Sequence, residues 1–173
     1  SDWFGELSSK LINLDTGRPD TVKWSAQAEL NGTATGARKI YMFSGAATNK
    51  LKNFDAGEMT TDELAYFQKA WITRSGFAPL TQFCSGPSYC LSTTDQNAAP
   101  GKNLVDYLRG DRTNEGDLET PAKFFRARKH VLGDIVNSEA VYVKKQLVQY
   151  GDTGYADFNA TNRKAMVYVG AND

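Results

Sequence analysis

Hydrophobic and polar residues alternate along the first part of the chain in patterns that predict two strands and a helix. Apolar side chains fall at even spacing on one face of Trp3–Asn13, which is the period of a half-buried strand. Val22–Leu30 places its apolar residues on one side of a short helix, which ends at Asn31-Gly32. The β-branched and aromatic run Arg38–Gly45 predicts a second strand.

A second helix is predicted after residues 46–60, which show no clear period. Thr60 and Glu63 have the spacing of a capping box, in which each side chain bonds to the backbone N–H of the other residue. Apolar residues then recur at helical spacing, and we expect this stripe to pack in the core. Its members are Leu64, Phe67 and Trp71.

A long loop and a third helix follow. Residues 74–102 are rich in Gly, Pro, Ser, Thr and Asn, so we expect a loop insertion at the surface, the kind of segment that often carries function. Asn103 is predicted to cap the next helix, and Gly110 is predicted to end it in a left-handed conformation. The apolar face of this helix consists of Leu104, Tyr107 and Leu108.

The last quarter of the chain predicts β structure. Val131–Val136 and Ala140–Val143 read as strands interrupted at Asn137-Ser138, and Tyr155 and Phe158 are spaced for a short helical turn. Met166–Gly170 reads as a strand that is apolar on both faces. Because this strand has few local partners in the sequence, we expect more chain to follow it in a parent protein.

Composition places the chain among ordinary globular proteins. Its 173 residues, 40% of them hydrophobic, fit one segment, 1–173, with a sizeable core. Twenty basic and twenty acidic residues cancel, so no net field attracts nucleic acid. The most basic run, Phe124–His130, lies among acidic residues, and we interpret it as a solvated charged loop rather than a nucleic-acid site.

Two cysteines indicate the compartment. Cys84 and Cys90 enclose a turn-forming stretch that includes Gly86, which favours a disulfide over a pair of reduced thiols. A zinc site would need two further ligands, and the chain has one histidine, His130. A disulfide implies a periplasmic or extracellular location. No stretch approaches the roughly 20 apolar residues that span a bilayer.

The sequence lacks the usual signatures of an enzyme. A catalytic triad would have to use His130, and there is no Gly-x-Ser-x-Gly motif and no glycine-rich phosphate loop. Carboxylate pairs such as Asp111 with Asp117, or Asp152 with Asp157, could act as acid and base only if the fold held them across a cleft. We therefore predict no catalytic residues.

One loop has part of the pattern of a calcium site. Oxygen-bearing side chains alternate around Gly116, the glycine at the sixth position of the loop. The twelfth position is Ala122 instead of a bidentate glutamate, so a solvated turn is favoured over metal binding. The candidate ligands are Asp111, Thr113, Glu115 and Asp117.

Six segments, in this order, resemble the PilC/PilY family of large secreted proteins at the tips of bacterial type IV pili. The most specific pair is GDIVNS with VYVGAND. The resemblance covers essentially the whole chain. The segments are WFGEL at 3–7, RKIYMF at 38–43, NLVDYLRGDR at 103–112, HVLGDIVNSEAVYV at 130–143, GYADF at 154–158 and MVYVGAND at 166–173.

The resemblance implies a fold and a role. The fold would be mainly β with helical insertions, the amino-terminal part of a larger β-propeller made of blade strands and short helices. The role would be non-enzymatic: pilus biogenesis, twitching motility, and adhesion from the tip. The partners would be minor pilins and a receptor on a surface or host cell, reached outside the cell after passage through the periplasm. The family's calcium loop has no clean counterpart here, so no cofactor is assigned to this segment.

Adhesion would use loops, because a rigid scaffold can present them while their sequence varies. Our candidate is the disulfide-closed loop, although a staple that holds an insertion against a sheet is the favoured alternative for it. A secreted hydrolase domain and a purely structural scaffold are the other functional alternatives. The candidate contact residues are Phe83, Ser85, Pro87, Ser88 and Tyr89.

Overall fold

The described part of the chain forms two compact units. The computed structural model describes residues 4–46, 48, 50–73, 83–86, 90–116, 123–144, 148, 150–161 and 164–172. Unit 1 combines Ser1–Leu30 with His130–Asp173, and unit 2 is the continuous stretch Asn31–Lys129. The expectation of one segment, 1–173, within a larger domain stays a prediction.

Short strands and helices alternate along the described residues. The strands are β1 (Ser8–Ile12), β2 (Pro19–Ser25), β3 (Tyr41–Phe43), β4 (Leu51–Asn53), β5 (Glu115–Gly116), β6 (Phe125–Arg126), β7 (Val141–Val143) and β8 (Met166–Tyr168). The helices are α1 (Ala26–Gly32), α2 (Thr61–Ala65), α3 (Lys69–Ile72), α4 (Thr93–Ala98), α5 (Lys102–Leu108) and α6 (Tyr155–Ala160), with a 3-10 turn at Thr35–Ala37. Each helix in this part of the chain falls short of what crossing a membrane requires.

Unit 1 begins with an antiparallel ribbon of β1 and β2. Asn13 turns the chain between them, because its side-chain oxygen accepts hydrogen bonds from the backbone N–H groups of Asp15 and Thr16. The predicted helix Val22–Leu30 is wrong in its first half. Residues up to Ser25 pair with β1 instead, and the helix begins at Ala26. Interstrand hydrogen bonds outweigh the weak helical period there.

The second ribbon of unit 1 joins β7 and β8 in antiparallel register. The prediction that the last strand has few local partners agrees with this pairing, because β7 is its one strand partner among the described residues. The predicted strand Val131–Val136 is reduced to a single bridge between Asp134 and Asn172. Asn137, in the predicted interruption, adopts a positive φ of 56°, and α6 confirms the predicted helical turn.

Unit 2 contains the ribbon β3–β4, in which only β3 was predicted. The capping box is confirmed: the Thr60 hydroxyl accepts from the Glu63 N–H, and the Glu63 carboxylate accepts from the Thr60 N–H. The helix predicted to run on from Thr60 breaks after α2. The Phe67 carbonyl accepts from the Gly101 N–H at 2.8 Å, so this tertiary hydrogen bond replaces one that would continue the helix.

The region around α5 contains the small core of unit 2. The buried apolar residues of the described chain are Leu91, Ala99 and Val105. Gly101, not Asn103, is the N-cap of α5; the Asn103 amide donates to the Ala98 carbonyl. Gly110 has a φ of 94° and confirms the predicted left-handed stop. Helix α4 lies inside the predicted loop 74–102, whose residues 74–82 and 87–89 fall outside the described residues.

These elements bear out a mixture of small antiparallel sheets and short helices. Three of the four strand pairs in the described chain are antiparallel, and β5 with β6 is parallel. The described strands form two-stranded sheets without a closed barrel. A β-propeller is a finer statement, which we treat below as a proposal.

Candidate functional site

The structure contains the predicted disulfide between Cys84 and Cys90, with Cα atoms 5.2 Å apart. The Gln96 side-chain amide fixes both ends of the loop. It donates to the Cys84 carbonyl at 2.9 Å and to the Leu91 carbonyl at 3.0 Å. The loop is therefore anchored twice, by a covalent bond between its ends and by one side chain of α4.

Helix α4 is a firm base for this loop because its first turn is capped and the residue before its N-cap is buried. The Ser92 hydroxyl accepts from the Asp95 N–H at 3.1 Å, and Leu91 beside it is buried. Ser85 and Gly86 are exposed, and Phe83 is half-buried. Pro87, Ser88 and Tyr89 lie outside the described residues, so the contact surface assigned to them stays a prediction.

A second cluster of functional groups surrounds Glu115 in unit 2. The Arg128 side chain reaches its carboxylate at 2.6 and 2.7 Å, and the Arg128 N–H donates to it at 3.1 Å. Arg112 donates to the same carboxylate at 3.0 Å and also to the Arg128 carbonyl. We call these three residues the Glu115 clamp. It joins the end of the α5 segment to the basic run 124–130, which sequence spacing did not predict.

The electrostatics of the clamp favour the ionised carboxylate. Burial opposes ionisation of Glu115, whose side chain is 5% exposed. Hydrogen bonds from the backbone and side chain of Arg128 and from Arg112 outweigh this cost and hold its pKa below the ordinary glutamate value. Because its two guanidinium partners keep this carboxylate ionised at neutral pH, it is suited to a structural role and not to proton transfer.

Tyr107 connects the clamp to an aromatic pair. Its ring stacks on Phe125 with centroids 4.5 Å apart, and the Arg128 guanidinium lies 3.9 Å from the ring centroid. Burial raises the pKa of its hydroxyl. The solvated-loop interpretation of 124–130 is wrong for Arg128, which is half-buried, whereas Arg126 and Lys129 are exposed. Since protein groups occupy its ring, Tyr107 does not offer a stacking platform for bases.

The predicted calcium ligands have other partners in the described structure. Asp111 accepts from the Thr113 N–H at 2.7 Å, and hydrogen bonds from the Thr113 hydroxyl and N–H lower its pKa. The Glu115 oxygens belong to the clamp. No group of three or more potential His, Cys, Asp or Glu ligands occurs among the described residues. Asp117 lies outside them, so the complete ligand set stays a prediction.

A small polar pocket of about 160 Å³ opens beside this loop. One of its carboxylates, Asp106, forms an ion pair with Lys102 and raises the pKa of that lysine. The pocket is lined by Asn103, Asp106, Tyr107, Asp111, Thr113 and Asn114. Its donors and acceptors could hold a few water molecules, each of which occupies about 30 Å³ in the liquid.

Further arginines fix the end of α5 to neighbouring segments. Arg109 donates to the Phe54 carbonyl and lies 3.8 Å from the Asp55 carboxylate. Arg38 in turn donates to the Arg109 carbonyl at 2.9 Å. Burial and the nearby Arg128 charge lower the pKa of Arg38. The sequence analysis did not predict these roles. Two arginines on either side of the helix-ending Gly110, Arg109 and Arg112, were a local signal that the end of α5 bonds to other segments.

The only histidine is part of a packing contact in unit 1. The His130 ring packs edge-on against Phe4, with ring centroids 4.8 Å apart. Asp152 and Asp157, the other carboxylate pair considered, lie at the start of α6 and within it, where Asp157 belongs to the first turn. The contact with Phe4 gives His130 a role in packing.

Curated relatives match the chain along its length. A type IV pilus biogenesis factor PilY1 of Pseudomonas aeruginosa is 32% identical over 99% of this chain and 13% of its own length. A PilY1 homolog of Xylella fastidiosa is 41% identical over 84% of this chain and 14% of its own length. The chain belongs to the PilY1 family. It spans about one seventh of the length of these PilY1 relatives. No family profile matches the chain, and no solved structure does.

The PilY1 membership confirms the resemblance found in the sequence, and the structure brings its two most specific segments together. Asn172 donates to the Asp134 carbonyl at 2.8 Å, and the Gly170 N–H donates to the Ser138 hydroxyl at 2.8 Å. GDIVNS and VYVGAND therefore meet through an isolated β-bridge and a side-chain hydrogen bond, next to the β7–β8 ribbon. The clamp residue Arg112 and the anchor Arg109 belong to a third segment, NLVDYLRGDR.

Proposed function

We propose that the chain is a non-enzymatic segment of a type IV pilus biogenesis protein. The observation that carries this proposal is the similarity, over nearly the whole chain, to proteins named as pilus biogenesis factors. Because those proteins are about seven times longer, the role of this segment within such a protein is itself part of the proposal. The disulfide supports a location outside the cytoplasm. The names of the relatives support an association with pili, and we propose minor pilins as the partners.

The fold part of the proposal is a partial β-propeller. Three antiparallel ribbons separated by short helices have the size expected for parts of blades with helical insertions. Calcium, which the resemblance associates with a propeller loop elsewhere in the family, would then bind in another part of the parent protein.

We further propose that the disulfide loop contributes to adhesion to surfaces or host cells. Its exposed residues Ser85 and Gly86 project from a base fixed by the disulfide and by Gln96. A loop whose two ends are fixed in advance loses less conformational entropy when it binds, which favours its use as a contact surface.

A purely structural role is the second candidate, and the Glu115 clamp favours it. Signature residues such as Arg109 and Arg112 form hydrogen bonds within their own chain. On this view, the segment supports piliation by holding the parent protein in shape and binds no receptor.

Two variants of the parent gene test these roles separately. Deleting the segment should abolish surface pili, measured as pilin sheared from cells; normal piliation would contradict the biogenesis proposal.

Ser85→Arg should leave piliation intact and reduce cell attachment, because it changes the exposed loop without touching its anchors. Thr153→Arg, at an exposed position in the turn before α6, is the matched control. Unchanged attachment with Ser85→Arg would favour the structural role.

Mass spectrometry of sheared pili tests the location. Peptides of this chain should be recovered with the pilins, within a longer polypeptide. Recovery only from the cytosol, with Cys84 and Cys90 reduced, would contradict the proposal.

A further inference from the structure

Two asparagines of the chain lie in the acceptor pattern for N-linked glycosylation, Asn-x-Ser/Thr. They are Asn31, in the tripeptide NGT, and Asn159, in the tripeptide NAT. Each is also preceded, two positions earlier, by an acidic residue, Glu29 or Asp157. Acidic residues occupy 20 of the 173 positions, so composition does not predict one at this place before both asparagines. The two segments therefore share a longer pattern of an acid, any residue, Asn, any residue and Thr.

Asn31 is exposed at the end of helix α1. It lies in the last turn, one residue before the helix ends at Gly32, and Glu29 and Gly32 beside it are exposed as well. A methyl group added at Gly32 would meet no atom within 4 Å, so the space around this turn is open. The last turn of a helix frays readily, because its carbonyl groups lack intrahelical partners. An enzyme can therefore reach this asparagine while the rest of the fold stays intact.

The second asparagine has a different environment. Asn159 is half-buried within α6, and its carboxamide oxygen is buried. The Thr161 hydroxyl donates to the Asp157 carbonyl at 3.1 Å, so the threonine of this pattern is bonded to the helix. Since the two asparagines share one sequence pattern and differ in accessibility, Asn159 is a matched control within the same chain.

The chemistry of N-linked glycosylation explains why accessibility matters. A carboxamide nitrogen is a weak nucleophile, because its lone pair is delocalised into the C=O group. The enzyme has to hold the side chain in its own site and twist the C–N bond to free this lone pair. The nitrogen then attacks the anomeric carbon of an oligosaccharide carried on a lipid pyrophosphate. A C–N bond forms, the C–O bond to phosphate breaks, the lipid pyrophosphate leaves, and the nitrogen loses a proton.

We propose that Asn31 is an N-glycosylation site, to which a transferase in the periplasm attaches an oligosaccharide from such a lipid donor. The transferase recognises the Thr33 hydroxyl on one side of the acceptor and the Glu29 carboxylate on the other. The proposal rests on the location outside the cytoplasm in the proposed function, because the chain meets the transferase there. The attached oligosaccharide is bulky and hydrophilic, and the exposed end of α1 has room for it.

Mass spectrometry of the wild-type parent protein, recovered from sheared pili, tests the proposal. Trypsin releases residues 24–38, which contain Asn31, and residues 146–163, which contain Asn159. We expect the first peptide to carry the mass increments of hexose or N-acetylhexosamine units, and fragmentation to place them on Asn31. The second peptide should be unmodified, because its asparagine is half-buried.

Three variants test how the site is recognised. Thr33→Ala removes the hydroxyl and Glu29→Gln removes the charge, so each should abolish the modification of Asn31. Thr33→Ser should retain it, since serine supplies the same hydroxyl group. The wild-type measurement requires no variant, so poor secretion of one of them still leaves the proposal testable.

Several results would overturn the proposal. An Asn31 that is unmodified or only deamidated, in a parent recovered with pili, would refute this inference and leave the proposed function standing. Equal modification of Asn159 would show that accessibility does not select the site. Modification that persists in Thr33→Ala or Glu29→Gln would refute the proposed recognition. A parent found only in the cytosol would instead refute the location and with it the proposed function.

Discussion

At the scale of single residues, Glu115 decides whether its loop is held by ion pairs or is available to bind a metal. Two arginines, one three residues away and one thirteen residues away, bind its carboxylate. In a sequence, Glu115 resembles a metal ligand because it alternates with other oxygen-bearing side chains. In the fold, the Glu115 carboxylate instead forms ion pairs with both arginines. Protonation of this carboxylate would weaken these ion pairs and lower the stability of unit 2.

We expect Glu115→Gln to destabilise unit 2 by about 3 kcal/mol, because it leaves Arg128 with a half-buried charge that lacks its partner. Glu139→Gln, at an exposed position, is the control and should change the free energy of unfolding by less than about 0.5 kcal/mol. Urea titration followed by circular dichroism measures both. Equal effects of the two substitutions would contradict the assigned role of the clamp.

The same carboxylate predicts how stability depends on pH. Three carboxylates of the described chain have a pKa below the ordinary value: Glu63, bonded to Lys52 and Thr60; Asp111, bonded to Thr113; and Glu115. A carboxylate with a lowered folded-state pKa stabilises the fold above its unfolded-state pKa, about 4.3 for Glu and 3.9 for Asp. That contribution is lost as pH falls through the folded-state pKa. Thermal melting from pH 7 to pH 2 should show this loss, and Glu115→Gln should reduce its size.

Gly5 provides a second prediction for a single residue. A methyl group at this position would lie 2.4 Å from the Gly133 carbonyl oxygen and 2.8 Å from Ile135. Gly5→Ala should therefore push these two segments of unit 1 apart, at a cost of about 1 to 3 kcal/mol. Gly45→Ala, where the added methyl group would meet no atom within 4 Å, is the control. Faster hydrogen exchange at 133–135 in the first variant alone would support the contact.

At the scale of elements, the sequence predicted the helix start and stop that depend on neighbouring residues. It could not predict hydrogen bonds between segments that are distant in the sequence. The Thr60 capping box and the Gly110 stop depend on residues within one turn, so the sequence contains them. The pairing of Val22–Ser25 with β1 and the break after α2 depend on hydrogen bonds to other segments. The disulfide was predictable because its two cysteines are close in sequence, whereas Gln96 carried no signal of its anchoring role.

The disulfide loop gives a prediction at this scale. Replacing Cys84 and Cys90 together by serine should destabilise unit 2 by about 2 kcal/mol, since the bridge restricts a short loop in the unfolded chain. Adding Gln96→Ala should lower stability further, because two carbonyl groups lose their donor. Denaturation of the double and triple variants measures both steps. An unchanged midpoint in the triple variant would contradict the anchoring role of Gln96.

At the scale of the whole molecule, the signature segments divide between the two units. Unit 1 contains WFGEL, HVLGDIVNSEAVYV, GYADF and MVYVGAND, whereas unit 2 contains RKIYMF and NLVDYLRGDR. The similarity of the chain to its relatives therefore covers both units. This division could not be read from composition, which shows no boundary near residue 30 or residue 130.

The division predicts how fragments behave. Residues 31–129 form a compact unit from one continuous stretch, so this fragment expressed alone should keep the helical circular dichroism signal of α5 and form the disulfide. Residues 1–30 alone should lack the ordered β1–β2 ribbon, because the contacts of Gly5 with Gly133 and Ile135 are missing. Near-equal loss of structure in both fragments would contradict the assignment of two units.

The discontinuous make-up of unit 1 also affects the order in which the chain folds during the export proposed above. A segment that emerges amino terminus first presents Gly5 long before Gly133, with the whole of unit 2 between them. Contacts between residues so far apart in sequence form slowly, whereas a continuous unit can close as soon as it has emerged. Unit 2 should therefore fold and form its disulfide first, whereas unit 1 can fold only after both of its parts have emerged.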